Sequence, residues 1–411
     1  MMNIKEADQK AMQIAAPAFS EAEKTAFFVT ERVMEAFRRE RVSEVHFAGS
    51  TGYGYGDRGR DTLDKVFAYA LESEDCLVRP QFISGTHTLT VALFGILRPG
   101  DLLLSVTGKP YDTLDDVIGL SQNQGEGSLK EFGIGYRQLD LIEGKINYEA
   151  LDTALKEPGI RMVFVQKSKG YQNRPTLSAA QIGELAAFVH QRLPEAVVMV
   201  DNCYGEFCEQ HEPAYYGADL MAGSLIKNPG GGIAPTGGYI AGKAALVARC
   251  ASRLTSPGIG RESGCTLQIL RELYQGLFLA PHTVLQAKKT AIYAAAMCEA
   301  LGFETSPGPL DPRYDIIQTI ALQSPERLLA FCKGIQSGSP VDSFVTPEAW
   351  DMPGYDAPVV MAAGAFVMGA SIELSADGPM KPPYTAFLQG GLTFESGRLG
   401  ILRAMEEMSI D

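Results

Sequence analysis

Cysteine is sparse in this 411-residue chain, and no two cysteines are spaced as a pair. The seven lie at 76, 203, 208, 250, 265, 298 and 332, with no Cys-x-x-Cys and no Cys/His cluster. That excludes a disulfide framework and a structural zinc knuckle, so no metal is expected and a reducing, cytoplasmic compartment is. Long apolar runs are also missing. The longest, Val359 to Ile372, contains two glycines and is too short to cross a bilayer. It is read as a buried strand region, and no membrane partner is expected. The first ten residues, MMNIKEADQK, lack the apolar core of a signal peptide. Basic residues are in deficit: 36 Lys plus Arg against 49 Asp plus Glu, a net charge of −13. Such a surface disfavours non-specific nucleic-acid binding, which needs clustered cations, but leaves room for one local anion site. Glycine is abundant, at 43, but not periodic, which excludes collagen.

Hydrophobic residues make up 45% and charged residues 21%, the balance of a folded soluble protein. The length suggests two or three domains. Residues 20–40 read as a helix, with Ser20 and Glu23 as a capping box and Phe27, Val33, Met34 and Phe37 on its apolar face. A Gly/Tyr/Arg-rich loop at 49–61 leads into a second helix over 62–71. Short apolar strands then alternate with amphipathic helices: strands at 102–106, 162–165, 197–200 and 238–241, and a helix over 178–193 capped by Ser178 and Gln181. This alternation predicts an α/β domain with a mostly parallel sheet covered on both faces. A long helix at 284–301 precedes a change of texture. Pro and Gly cluster at 306–312, and shorter strand-like runs follow at 315–323 and 359–374, which predicts a small C-terminal α+β domain. The expected division is an N-terminal arm and loop to residue 60, a large domain over 61–283 and a small one over 284–411.

Two glycine patterns look like nucleotide motifs and are set aside. Gly54, Gly56 and Gly59 satisfy G-x-G-x-x-G, yet the residues before them, VHFAGST, form a poor strand. Gly237 to Lys243 satisfies G-x-x-x-x-G-K, but Ala244 stands where a phosphate-binding loop needs Ser or Thr. A more coherent set lies elsewhere. Asp201 ends an apolar strand, the end that faces the ligand crevice in an open α/β sheet. Lys227 follows it and precedes Gly230–Gly232, where backbone can approach a ligand. Ser84, Gly85 and Thr86 stand at the start of a helix, a ready anion site, and Tyr111 lies just past the next strand. A lysine to hold an aldehyde as a Schiff base, an Asp for a pyridine nitrogen, a helix start for a phosphate and an aromatic ring to stack form the kit for pyridoxal 5′-phosphate.

The segments carrying these residues are GYGYGDRGRDTLDKVFA (52–68), RPQFISGTHT (79–88), GKPYDTL (108–114), QKSKGYQNRPTL (166–177), VDNCYGEF (200–207) and SLIKNPGGGIAPTGGYIAG (224–242). Together they resemble the methionine gamma-lyase-like, or aluminium-resistance, family of fold-type I pyridoxal-phosphate enzymes. The resemblance implies that Lys227 carries the cofactor and then shuttles protons, with its pKa lowered toward neutrality. It implies that Asp201 pairs with the pyridine nitrogen. Ser84, Gly85, Thr86 and Ser224 would hold the phosphate, and Tyr111 would stack on the ring and assist the leaving group. Tyr55 and Arg58, with Tyr53 and Arg60 as rivals, would reach the phosphate of a neighbouring subunit, so a homodimer or homotetramer is expected. The substrate carboxylate calls for an arginine: Arg174, Arg398 or Arg403.

The implied activity is elimination of a β- or γ-substituent from a sulfur-containing L-amino acid, as in a cystathionine beta-lyase or a methionine gamma-lyase. A transferase or racemase using the same cofactor is the alternative. A nicotinamide-dependent oxidoreductase and a non-catalytic cofactor-binding protein are more distant ones.

Overall fold

In the computed structural model, which describes residues 3–121, 126–351 and 357–409, neighbouring residues of the central strands enter different cores. Met162 and Phe164 of strand β4 (Ile160–Gln166) point into one apolar cluster, and Val163 and Val165 into another. Strand β5 (Val197–Asp201) divides likewise, Val197 and Met199 from Val198 and Val200. A pleated strand buried on both faces must be apolar at every position, which is why these segments read as continuous hydrophobic runs.

Five further strands complete this sheet: β1 (Asp75–Arg79), β2 (Leu102–Ser105), β3 (Gly135–Gln138), β6 (Leu220–Ser224) and β7 (Gly238–Gly242). Their order is β1-β7-β6-β5-β4-β2-β3, and β7 alone runs against its neighbours. The helix Ala179–Arg192 carries the expected capping box of Ser178 and Gln181. The α/β reading, a mostly parallel sheet covered on both faces, is the observed architecture.

The N-terminal segment differs from expectation. It is one helix, Ile4–Arg39, capped by Asn3, whose side chain accepts the Glu6 N–H at 2.9 Å. Ser20 and Glu23 lie inside this helix and cap nothing. Its buried face is built from small residues, Ala7, Ala11, Ala15, Ala22, Ala26, Val29, Val33 and Ala36, while Phe27 is 68% exposed. Alanine favours a helix on any face and is only weakly apolar, so this stripe does not announce itself as a core face. Pro17 inside the helix reinforces the misreading. The long helix expected at 284–301 spans Leu270–Ala300 and passes through the buried Pro281. The second helix begins earlier than expected, at Arg58, capped by Asp57.

The small C-terminal sheet is antiparallel throughout, ordered β10-β11-β12-β13-β9-β8. Its strands are β8 (Glu304–Ser306), β9 (Ile317–Ala321), β10 (Ala349–Trp350), β11 (Val359–Ala363), β12 (Ser375–Pro379) and β13 (Thr385–Gln389). The run 359–372 is therefore not one buried strand. It leaves the sheet after Ala363, and Phe366 and Met368 are exposed. Among the described residues, no helix is long and apolar enough to cross a membrane.

The two nucleotide-like patterns are structural. A 3-10 turn, Glu44–Phe47, rather than a strand, precedes Gly54–Gly59. A side chain on Gly59 would strike the His46 carbonyl at 2.2 Å, so this glycine serves close packing. Gly237 to Gly242 spans antiparallel β7, and Lys243 pairs with Asp219 at 2.6 Å.

Candidate active site

Several polar side chains meet at the C-terminal ends of the parallel strands: Gln166 ends β4, Asp201 ends β5 and Ser224 ends β6. The helix Gly85–Ile96 points its N-terminus at the same place. A side chain on Gly85 would come within 3.5 Å of Ser224 Cβ and 3.6 Å of Cys203 Sγ, so these elements are in contact range. Together they enclose an inner chamber of about 100 Å³, lined by Gly85, Thr86, Tyr111, Gln166, Asp201 and Lys227 among others.

Ser84 caps this helix through its Oγ, which accepts the His87 N–H at 3.0 Å, and it does not line the chamber. Thr86 Oγ1 lies 2.7 Å from Thr113 Oγ1. Tyr111 stands at the chamber wall, and Gly170, at φ +54°, brings its loop against that ring, where a side chain would lie 3.3 Å from Tyr111 Cδ2. Asp201 is buried and accepts the Cys203 N–H at 3.1 Å. Burial raises its carboxyl pKa against the opposing pull of Lys227.

The Lys227 Nζ lies 4.0 Å from the centroid of the Tyr204 ring. Burial disfavours its ammonium, but Cys203, Tyr204 and Asp201 outweigh that and hold its pKa above the ordinary lysine value. The expected depression toward neutrality is therefore not a property of the protein's own groups around this lysine. Beneath the site Glu206 is fully buried. Its Oε1 accepts the Tyr239 hydroxyl at 2.9 Å, and its Oε2 has no partner among the described residues. Burial pushes its carboxyl up to about 8.

A second, outer chamber of about 250 Å³ shares Tyr111, Gly170, Tyr204 and Lys227 with the inner one and extends to the small sheet. There Asp377 of β12 and Gln389 of β13 form the far wall with Ser371 and Ser375. Asp377 Oδ2 accepts both the Tyr171 hydroxyl at 2.9 Å and Gln389 Nε2 at 3.1 Å. Burial pushes this carboxyl up to about 6, with those two bonds opposing.

These features coincide with a known lineage. A family model described as methionine gamma-lyase matches residues 4–409. The chain belongs to the methionine gamma-lyase family. It is 48% identical to a Listeria monocytogenes protein provisionally named a cystathionine beta-lyase involved in aluminum resistance, with a TM-score of 0.96 over 98% of this chain and 100% of that one. A carbon-sulfur lyase involved in aluminum resistance from Clostridium novyi NT is 49% identical, with a TM-score of 0.95 over 99% of this chain and 96% of that one. YnbB of Bacillus subtilis strain 168 is 52% identical over 92% of this chain and 90% of its own length. The fold is shared with YhfS of Escherichia coli, described as pyridoxal-5′-phosphate dependent, at 16% identity and a TM-score of 0.63.

The side chains of this methionine gamma-lyase family member suit such a cofactor. Ser224 Oγ and Gln166 Oε1 are buried without hydrogen-bond partners among the described residues, one beside the helix N-terminus and one on the chamber wall. Buried polar atoms left unpaired cost free energy, so groups held open in this way suit a polar ligand.

The arginines are placed differently from the sequence reading. Arg174 is buried and committed: it donates to Gln172 Oε1 at 3.0 Å, the Pro175 carbonyl at 3.1 Å, the Gln166 carbonyl at 2.9 Å and the Ser168 carbonyl. Its guanidinium braces the loop behind the chamber and leaves no fork for a substrate carboxylate. Arg398 binds Asp8 at 2.7 Å, and Arg403 pairs with Glu406 on the outer face of the last helix. Arg60 is buried on the carbonyls of Gly54 and Gly264, whereas Arg58 and Tyr55 are exposed and line neither chamber.

Tyr204, Tyr171, Gln166, Asp377 and Gln389 escaped the sequence reading. Asp377 sits in SADGP, which has the composition of a turn although it is strand β12. The only signal available for Gln166 and Tyr171 was their place in the QKSKGYQNRP segment.

Proposed function

We propose that this chain is a pyridoxal-phosphate-dependent carbon–sulfur lyase that eliminates a β- or γ-substituent from a sulfur-containing L-amino acid. The convergence of Lys227, Asp201 and the N-terminus of the Gly85–Ile96 helix on one chamber, with Ser224 behind Gly85, carries this reading. When bound, the cofactor supplies an electron sink for the substrate Cα. The backbone N–H groups of Gly85 and Thr86, with the Ser224 hydroxyl, hold the phosphate where the helix dipole favours an anion. Asp201 would keep the ring nitrogen protonated, and Tyr111 would pack on the ring face. Lys227 would hold the aldehyde carbon and, once the substrate amino group has displaced it, its freed amine would carry a proton from Cα to the leaving side.

No arginine of this chain lines the described chambers, so the two anionic groups of cofactor and substrate call for cations from elsewhere. The exposed Arg58 suits that role in a neighbouring subunit, with the Tyr55 hydroxyl as a neutral donor beside it, which makes the working enzyme at least a dimer. The described cysteines are all free, which accords with a cytoplasmic enzyme.

The test is direct. Purified protein should show the visible absorbance of a protein-bound pyridoxal Schiff base, and it should release a thiol and a 2-oxo acid from cystathionine, methionine or a cysteine thioether. Lys227→Ala should abolish both. A band that survives the substitution, or a bound cofactor with no thiol released from any of these amino acids, would sink the reading.

A further inference from the structure

The outer chamber carries a buried acid with no cationic hydrogen-bond partner among the described residues. Asp377 is buried, and the Tyr171 hydroxyl and Gln389 amide that donate to it are neutral. Burial raises its carboxyl pKa, and those two hydrogen bonds to the carboxylate oppose the rise. Its placement is built rather than incidental. Asp377 pairs in register with Met361 and with Phe387, and Phe387 meets the Tyr171 ring edge-on at 5.0 Å, which fixes the hydroxyl that Asp377 accepts. Lys227 is the only cationic side chain lining this chamber among the described residues, and it stands at the shared boundary with the inner chamber. For a substrate whose α-amino group is handled at Lys227, the outer chamber with Asp377 in its wall is the space open to the rest of its length.

We propose that Asp377, braced by Tyr171 and Gln389, recognises a cationic ammonium on the leaving-group side of the substrate. The preferred substrates are then thioether amino acids whose departing thiol carries an amino group. This rests on the lyase reading for which group departs, but the recognition itself is a binding property. A buried carboxylate gains from an ammonium that replaces lost water and is penalised by a second carboxylate. A leaving group that ends in a lone carboxylate is selected against.

The experiment uses holoenzyme and unreactive ligands. Calorimetric titration should show L-lysine binding at least about tenfold more tightly than the neutral L-norleucine, with the anionic L-2-aminoadipate weakest. Asp377→Asn should cut the lysine-to-norleucine ratio to within about threefold. No preference for lysine in the wild type, or a preference that survives Asp377→Asn, overturns the proposal. If the variant fails to fold, the wild-type order of the three ligands decides alone, and any order other than lysine, norleucine, aminoadipate overturns it. Turnover of S-(2-aminoethyl)-L-cysteine separates the two readings. Charge-dependent lysine binding without thiol release removes the lyase reading and leaves the recognition standing. Thiol release without charge preference does the reverse.

Discussion

The Lys227 ammonium rests 4.0 Å from the centre of the Tyr204 ring, and the Tyr204 hydroxyl in turn lies 3.0 Å from Ser371 Oγ in the outer chamber. One tyrosine thus touches the Lys227 ammonium and reaches the wall of the outer chamber. A ring face contributes about 0.5–2 kcal/mol to a cation above it. Tyr204→Leu removes that support, so the Lys227 pKa falls. The pH at which apoprotein takes up pyridoxal phosphate at half-maximal rate should move down accordingly. Tyr204→Phe, which keeps the ring but loses the hydroxyl that also supports the ammonium, should move that midpoint down by less than Tyr204→Leu.

Arg174 and Arg403, both expected from sequence to meet the substrate carboxylate, should fail in opposite ways. Arg174→Ala strands buried carbonyls and should cost about 2–4 kcal/mol, read as a large drop in Tm. Arg403→Ala breaks one exposed pair with Glu406 and should shift Tm by little and KM by less than about twofold. A rise in KM of tenfold or more for Arg403→Ala would return that residue to the site.

Glu206 sets a pH dependence of stability. Its folded pKa of about 8 stands above the ordinary value of 4.5. Between those two pH values the folded protein keeps a proton that the unfolded chain has released. Stability is therefore greatest at the acid end of that window and falls as pH rises through it, by on the order of a few kcal/mol. Glu206→Gln removes this contribution. The difference in Tm between variant and wild type should grow in the variant's favour from pH 5 to pH 8, and a constant difference would refute the assignment.

If Arg58 completes a neighbour's site, two inactive variants should rescue each other. Arg58→Ala and Lys227→Ala, each inactive alone, should regain about a quarter of wild-type activity when refolded together in equal amounts, because half the dimers are mixed and each carries one intact site. No recovery, with mixed dimers shown by mass, would place Arg58 outside the site.

What could be read from sequence follows the range of the forces involved. The Ser178–Gln181 cap and the apolar strands β4 and β5 are local patterns, and they were legible. So were the placements of Asp201 at a strand end and Gly85 at a helix start, because each sits beside an element that its own neighbours define. Asp377 and Gln389 were not, since their meaning comes from cross-strand pairing that brings Tyr171 alongside from some 200 residues away. The arginines misled for the same reason. A guanidinium's partner is chosen by tertiary structure, and for Arg174 those partners are carbonyls of its own loop.

The alanine face of the Ile4–Arg39 helix has one more consequence. Its first turns pack into the small-sheet core with Ala7 and Ala11, and its last turns pack into the large-sheet core with Val29, Val33 and Ala36. The Leu270–Ala300 helix makes the same crossing beside it. Two antiparallel splints therefore bridge the halves that face each other across the outer chamber. Opening that chamber like a clamshell would shear both splints at once, so the gap between Lys227 and Asp377 works as a fixed gauge. On the proposed reading, a ligand too short to reach from one to the other could not draw the walls together to make up the difference.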